Sequence, residues 1–272
     1  MEKAVVLHAD ILGFKNIVKQ ADAEGDGRIF KQLKTALEEG VGTTQQFQKL
    51  GIQAPIRYKL FSDNLYVAFP YQDGDLQSYS DAVLSCIAFA RSYSAIMLDN
   101  QYYIRGGISS GMDYSDDTVI FSLGLVKAYE LELQAIYPRI LVDADIIERL
   151  KEGIETPGPA FRAVVNNSIL KDKDGHYFLN PSGLSEELNV KAHGFEGREL
   201  NRAFLKRYYQ NVQKICNDLK QEKNPDQKII EKYAWLLQLL IWLYTNRENE
   251  RCGVTRFNSL RFEEDKKNEP KK

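Results

Sequence analysis

The sequence predicts an α+β fold, in which an antiparallel or mixed sheet is packed against helices, and three observations support that prediction. An apolar run over residues 3–10 ends in a charge, as expected of a short and fully buried strand. Residues 55–70 place aromatic and β-branched side chains around a polar turn, which is typical of a hairpin. Between these segments apolar side chains recur every three or four positions, the period of an amphipathic helix.

The elements that follow continue this alternation. The order β-α-β-β-α-β, followed by α-β, resembles the ferredoxin-like split βαβ unit. The ranges are helices over about 78–98 and 123–135, strands over 102–109 and 139–143, and a loop or protruding hairpin tip over the acidic stretch 113–117.

The regular pattern weakens after about residue 155, where proline, glycine and charged residues become frequent. Two longer helices are then predicted over about 196–221 and 226–246. We therefore expect a core over residues 1–155, an extension packed on it over 156–262 that is helical from about 196, and a disordered acidic-basic tail over 263–272.

Composition narrows the class of protein. Of 272 residues, 43% are apolar and 27% are charged, as in ordinary folded proteins, and the net charge of −2 gives no general attraction to nucleic acid or anionic lipid. The three cysteines are far apart, which argues against a disulfide framework and a zinc ribbon. Without a signal-peptide pattern, we expect a cytoplasmic protein with neither a nucleic-acid nor a membrane partner.

The longest apolar run, Trp235 to Tyr244, is about half as long as the roughly 20 residues of a membrane-spanning helix. It is apolar almost all round, so its helix must be covered on nearly every side. We expect a second copy of the chain to provide that cover in a homodimer, and the alternative is burial against the chain's own core.

Two acidic residues stand in unusual settings. Asp10 directly follows the apolar strand, and Asp63 lies at the tip of the predicted hairpin. Carboxylates at a strand end and a neighbouring hairpin tip can together bind divalent cations over a triphosphate. The alternative is that Asp10 caps a helix and Asp63 is an ordinary turn residue. His8, two residues before Asp10, is expected to be a buried core histidine.

Four groups of residues then occur in an order that resembles the class III nucleotidyl cyclases and, more narrowly, the pyrimidine cyclases of the bacterial Pycsar antiphage system. The resemblance runs from residue 3 to about 145, and weaker likeness at 173–181 and 232–236 extends it over most of the chain. The segments are Asp10 to Phe14, Phe61 to Asn64, Arg105 to Gly111, and Tyr129 to Glu132 with Tyr137 to Ile140.

This resemblance implies a class III cyclase core that converts UTP to 3′,5′-cyclic UMP and pyrophosphate. Two alternatives stay open: CTP as substrate, and a nucleotide-binding regulatory module without activity. The resemblance also implies a homodimer with two shared sites, a role in antiphage defence, and a separate effector that the cyclic product activates.

The resemblance further implies a metal site. Asp10, Asp63 and the backbone carbonyl of Ile11 would hold two Mn²⁺ or Mg²⁺ ions, which suit oxygen ligands. The turn that ends at Phe14 would offer backbone N–H groups to the triphosphate near a helix start.

Base selection is implied for Tyr58 and Arg105, which would hold a pyrimidine ring. Lys59 is an alternative, because adenylate cyclases carry a purine-selecting lysine four residues before the acid, as Lys59 stands before Asp63. Neighbours on a strand point to opposite faces, so only one of Tyr58 and Lys59 can face the base. We favour Tyr58, although a core aromatic is the competing interpretation.

One departure from the family concerns the transition state. Many class III cyclases carry an asparagine and an arginine where this chain has Val126 and Glu130. Positive charge for the phosphates would then come from Lys127, Arg139 or Lys15. Arg139 could instead form an ion pair with Glu132.

Overall fold

The computed structural model describes residues 1–25, 27–49, 56–152, 165–181, 186–244 and 257–259. The predicted tail over 263–272 lies outside these ranges. The strands are β1 (Glu2–Ile11), β2 (Arg57–Phe61), β3 (Asn64–Tyr71), β4 (Ile104–Ser115), β5 (Ile120–Ser122), β6 (Ile140–Val142), β7 (Ile169–Lys171), β8 (Tyr177–Leu179) and β9 (Asn258–Ser259). The helices are α1 (Phe14–Glu24), α2 (Arg28–Lys49), α3 (Leu76–Asp99), α4 (Leu123–Gln134), α5 (Ala144–Glu152), α6 (Glu186–Gln221) and α7 (Gln227–Tyr244).

The described strands form one sheet in the order β2-β3-β1-β4-β6-β8-β7-β9, with β5 paired to β4. Only β4 and β6 pair in parallel among these strands. The first four strands follow the spatial order 2-3-1-4 with helices after the first and the third, which is the ferredoxin-like arrangement. The expected α+β class, a mixed sheet with packed helices, is confirmed.

Helices cover both faces of the sheet because its central strands are apolar on both sides. On one face, alternate residues of β1 such as Val5 and Leu7 pack with α2, α3 and α5. On the other face, Ala4 and Val6 lie under α4, while α6 and α7 cover the half of the sheet around β6, β7 and β8.

Helix α3 is long and apolar enough to pass a length-and-composition test for a membrane span. Its most apolar stretch is 67% buried inside the protein, where it packs on β1 and β3. Core helices of this kind pass the same test, so α3 belongs to the interior of the fold.

The glycines of the segment Arg105 to Gly111 explain how closely α4 approaches the sheet. A Cβ atom on Gly107 would lie 2.2 Å from the carbonyl oxygen of Ala128, and one on Gly111 would lie 2.8 Å from the backbone nitrogen of Gly124. Such distances exclude any side chain at these positions unless α4 moves. The glycines therefore fix the height of α4 above β4.

The run from Trp235 to Tyr244 corrects one expectation. It forms most of α7, and Trp235, Leu236, Leu239, Leu240, Trp242 and Leu243 are buried within the chain. Most of its apolar surface is therefore covered within the chain, while Ile241 and Tyr244 are each 47% exposed. Strands β7 and β8 continue the sheet beyond β6, so the extension shares the sheet of the core.

Candidate active site

The fold brings Asp10 and Asp63 together. Asp10 is near the end of β1, and Asp63 lies in the two-residue turn between β2 and β3, where Ser62 adopts the left-handed conformation (φ 58°). Because β1 pairs with β3 so that Ala9 lies opposite Leu65, the turn stands beside the end of β1. Asp63 is the neighbouring acid that acts most strongly on the pKa of Asp10.

This proximity changes the acidity of Asp10. Burial first, then the hydrogen bond to Asp63 and the negative charge of Asp63, raise the pKa of Asp10 to about 7, while Arg105 opposes the rise. Two carboxylates this close disfavour each other's ionised form, and a nearby cation relieves that repulsion. The site therefore has the electrostatic character of a cation-binding site.

The donor set suits Mg²⁺ or Mn²⁺, which commonly take one or two carboxylates plus substrate phosphates. Within the described ranges, no group of three or more His, Cys, Asp and Glu side chains could hold a metal by itself. The side chain of Ile11 is buried in the core, so only its backbone carbonyl is available as a ligand. The ligand roles of Asp10, Asp63 and Ile11 remain predictions.

A hydrogen-bonded chain leads from Asp63 to His8. Asn64 Nδ2 donates to Asp63 Oδ1 over 3.3 Å, and Asn64 Oδ1 lies 3.1 Å from His8 Nε2. Burial lowers the pKa of His8, which favours a neutral ring that donates from Nε2. His8 is thus the expected buried histidine, and it supports Asn64, a contact that the sequence analysis did not foresee.

Arg105 provides the positive charge at the site. It lies opposite Asp10 in the β1–β4 register, with Nη2 3.3 Å from Asp10 Oδ2. Its Nε is 2.5 Å from Oε1 of Glu132 on α4. Burial raises the pKa of Glu132, and the charge of Arg105 opposes that rise. Arg105 therefore joins two carboxylates within one chain.

Helix α1 begins directly after this cluster. Gly13 precedes it in the left-handed conformation (φ 81°), and the helix starts at Phe14 with no acidic residue in its first turn. Lys15 in that turn is exposed. A helix start of this kind favours an anion, as expected for the triphosphate.

The strand register reverses the preference between Tyr58 and Lys59. Lys59 lies opposite Tyr66, which shares the sheet face of His8 and therefore of Asp10. Tyr58 lies opposite Val67, whose side chain belongs to the core under α3. Lys59, not Tyr58, therefore stands on the face that carries Asp10.

Arg139 is not free to meet a phosphate. Its side chain is 1% exposed, Nη1 lies 2.8 Å from Asp172 Oδ2, and Nη2 also pairs with Asp174. Aromatic rings of Tyr137, Phe178 and Trp235 surround the guanidinium. The alternative ion pair between Arg139 and Glu132 does not form, because Glu132 pairs with Arg105.

Lys127 also has another partner, since its Nζ lies 3.3 Å from Asp145 Oδ2 at the start of α5. Val126 and Glu130 are exposed on α4. Arg105 is therefore the arginine that contacts Asp10, while the catalytic roles given to Lys127 and Arg139 remain predictions without support from these contacts.

No protein-family model matches the chain, and no curated protein matches it. Among solved structures it is similar to the adenylyl cyclase CyaB from P. aeruginosa, with 19% identity, a TM-score of 0.44, and coverage of 66% of this chain and 94% of that one. It is also similar to the guanylyl cyclase Cya2, with 12% identity, a TM-score of 0.41, and coverage of 68% of this chain and 96% of that one.

Proposed function

We propose that the protein is a pyrimidine nucleotide cyclase that converts UTP to 3′,5′-cyclic UMP and pyrophosphate. The observation that carries this proposal is the placement of Asp10, at a strand end, beside the hairpin turn that holds Asp63, directly before a helix start. The ordered motifs of the class III cyclases support the same conclusion. In this reaction the ribose 3′-oxygen forms a bond to the α-phosphorus, and the bond from that phosphorus to the departing pyrophosphate breaks.

Each part of the site has a chemical task in this proposal. Asp10 and Asp63 hold divalent cations, which when bound polarise the attacking hydroxyl and neutralise charge on the leaving group. The start of α1 at Phe14 binds phosphate oxygens through backbone N–H groups. Arg105 lies beside Asp10 and supplies a guanidinium group for the nucleotide base.

Base selection falls to Arg105 and Lys59 in this proposal. Both side chains are donors only, so they favour carbonyl oxygens of the base. Uracil has such an oxygen at position 4, where cytosine has an amino group that also donates. This difference favours UTP over CTP, which remains the alternative substrate because both bases share the oxygen at position 2.

We further propose that two copies of the chain assemble through α4. Four apolar residues recur every three or four positions along one line of this helix and its end, each between 47% and 60% exposed: Val126, Tyr129, Leu133 and Ile136. Phe121 on β5 is also 61% exposed. An apolar line of this length marks an interaction surface. We propose a second copy of the chain as the partner, because it would also cover the open side of the site around Asp10 and Asp63.

Assembly is tested by Leu133→Glu, which we expect to convert a dimer to a monomer in sedimentation velocity. Val18→Glu is the matched control, because Val18 is 47% exposed on α1, outside this line. A monomeric parent protein, or a Leu133→Glu variant that stays dimeric, would contradict this interface.

The activity itself is tested by incubating the purified protein with each of the four nucleoside triphosphates and Mn²⁺, and separating the products by mass. Cyclic UMP is the expected main product, and cyclic CMP would identify the alternative substrate. A protein that binds nucleotide without forming any cyclic product would be the inactive module, which Val126 and Glu130 favour. As the family resemblance implies, the product would signal in the cytoplasm to a separate effector during antiphage defence.

A further inference from the structure

Glu132 is a buried carboxylate for which the proposed reaction has so far no task. It lies on α4, and its side chain is 3% exposed, in contact with the Nε of Arg105 at 2.5 Å. The guanidinium continues to Asp10, with Nε and Nη2 lying 3.4 and 3.3 Å from Oδ2. Arg105 is therefore shared between a buried acid and a candidate metal ligand.

The packing of α4 on β4 holds this arrangement in place. Ala128 sits over Gly107, where a Cβ would be 2.2 Å from the Ala128 carbonyl oxygen. One helical turn further, Glu132 lies over Arg105, two residues back along β4 on the same face. A turn of four residues advances about 6 Å, and two strand residues span about 6.6 Å, so the two steps match.

Electrostatic repulsion explains why Arg105 needs a second carboxylate partner when a cation binds. When a divalent cation binds Asp10, the guanidinium beside the same oxygen repels it and must give up that contact. Glu132 remains within reach of Arg105, because the two already touch. Arg105 can therefore leave Asp10 to the cation and still have a carboxylate partner in Glu132.

We propose that Glu132 is a positioning residue, which takes the guanidinium of Arg105 from Asp10 when a divalent cation binds and holds it beside the site for the substrate. This inference rests on the proposed metal site. Glu132 contacts neither the cation nor the nucleotide in this proposal, and it acts only through Arg105.

The test is Mn²⁺ binding in the absence of nucleotide, followed for the full chain by the electron paramagnetic resonance signal of the free ion. In Glu132→Gln the arginine has Asp10 as its remaining carboxylate, so we expect the Mn²⁺ dissociation constant to rise about tenfold. Glu130→Gln is the matched control, because Glu130 is exposed on the same helix, and it should bind as the parent does.

A second variant separates positioning from a direct electrostatic effect. Arg105→Gln should bind Mn²⁺ more tightly than the parent, because the competing charge is gone. Adding Glu132→Gln to Arg105→Gln should then change nothing further. If the double variant binds more weakly than Arg105→Gln, Glu132 acts on the cation directly and the proposal is wrong.

The same series distinguishes this inference from the cyclase proposal. A protein that makes cyclic UMP but shows equal Mn²⁺ affinity in the parent and Glu132→Gln overturns the role of Glu132 alone. A parent that binds no Mn²⁺ overturns the metal site and this inference with it. Thermal unfolding of each variant checks that Glu132→Gln is folded at the temperature of the titration.

Discussion

Two arginines, one on β4 and one directly before β6, lie in contrasting surroundings. Arg105 on β4 is 28% exposed and lies between Asp10 and Glu132. Arg139, just before the parallel strand β6, is 1% exposed and lies between Asp172 and Asp174 under a cover of aromatic rings. Both have two acidic partners, but only the first is open to a ligand.

The difference lies in what surrounds each pair. Around Arg139, Trp235 Nε1 donates to the same Asp172 oxygen that accepts from the arginine, so the buried charges are paired inside the protein. Around Arg105, the neighbouring Asp10 and Asp63 repel each other and leave unbalanced negative charge. The first arrangement stabilises the fold, and the second is suited to bind a cation.

The largest effect is expected for Arg139→Met. This change leaves Asp172 buried without its cationic partner, and breaking a buried pair in this way costs about 3–5 kcal/mol of unfolding free energy. Urea unfolding measures the loss. Arg207→Met is the control, because Arg207 pairs with Asp99 on the surface, where a pair contributes about 0–1 kcal/mol. Equal losses in the two variants would mean that the buried pairs of Arg139 stabilise the fold no more than the surface pair of Arg207 does.

The next effect concerns Asp63→Asn. Losing one of two carboxylates that hold the cations should reduce cyclic product at least about 100-fold, since even indirect partners of metal ligands cost 10–100-fold. Product quantified by mass spectrometry checks this result, with unfolding measured in parallel. Asp73→Asn, on an exposed turn, should retain the parent's activity. Full activity in Asp63→Asn would refute the metal assignment.

A smaller effect is expected for Gly107→Ala. The added methyl group meets the backbone of α4, so the helix must shift, at a cost of about 1–3 kcal/mol in unfolding free energy. Gly42→Ala on α2 meets nothing within 4 Å and should instead stabilise the protein by about 0.5–1 kcal/mol. Both values come from urea unfolding. A neutral Gly107→Ala would mean that α4 is not fixed against β4 in the way described.

The smallest effect is a pH dependence at Asp10. Because its pKa is raised, Asp10 in the folded protein keeps a proton between about pH 4 and 7 that the unfolded chain has already released. The parent therefore loses stability as pH rises through that window. Asp10→Asn cannot ionise, so its stability relative to the parent should rise by ~1 kcal/mol between about pH 4 and 7, a small amount because partial exposure screens the effect. The measurement is urea unfolding in a metal chelator. A difference that shrinks with rising pH would contradict the assignment.

The sequence predicted the ferredoxin-like half of the fold closely, because its strands and helices have clear periods. The strand over 3–10 and the helix over 123–135 correspond to β1 and α4 within a residue or two. The extension was less predictable, since β7 and β8 are only three residues each and depend on pairing with β6. Strands of three residues are too short to show an alternating pattern of apolar and polar residues.

At the candidate site, the sequence identified the acids but not the network around them. Asp10 and Asp63 stood out because each follows or interrupts an apolar strand. The choice between Tyr58 and Lys59 required the register of β2 against β3, which places Lys59 on the face of Asp10 and which no local pattern reveals. The partner of Glu132 depended on how α4 crosses β4, a tertiary feature that the glycines determine.

The continuous sheet has a consequence for anyone who shortens or recombines this protein. A version that stops at residue 155 would remove β8, one of the two neighbours of β6, and would leave Arg139 without Asp172, Asp174 and the indole of Trp235. The C-terminal portion is thus no detachable module, and a chimera that exchanges it must bring its own counter-ions for Arg139.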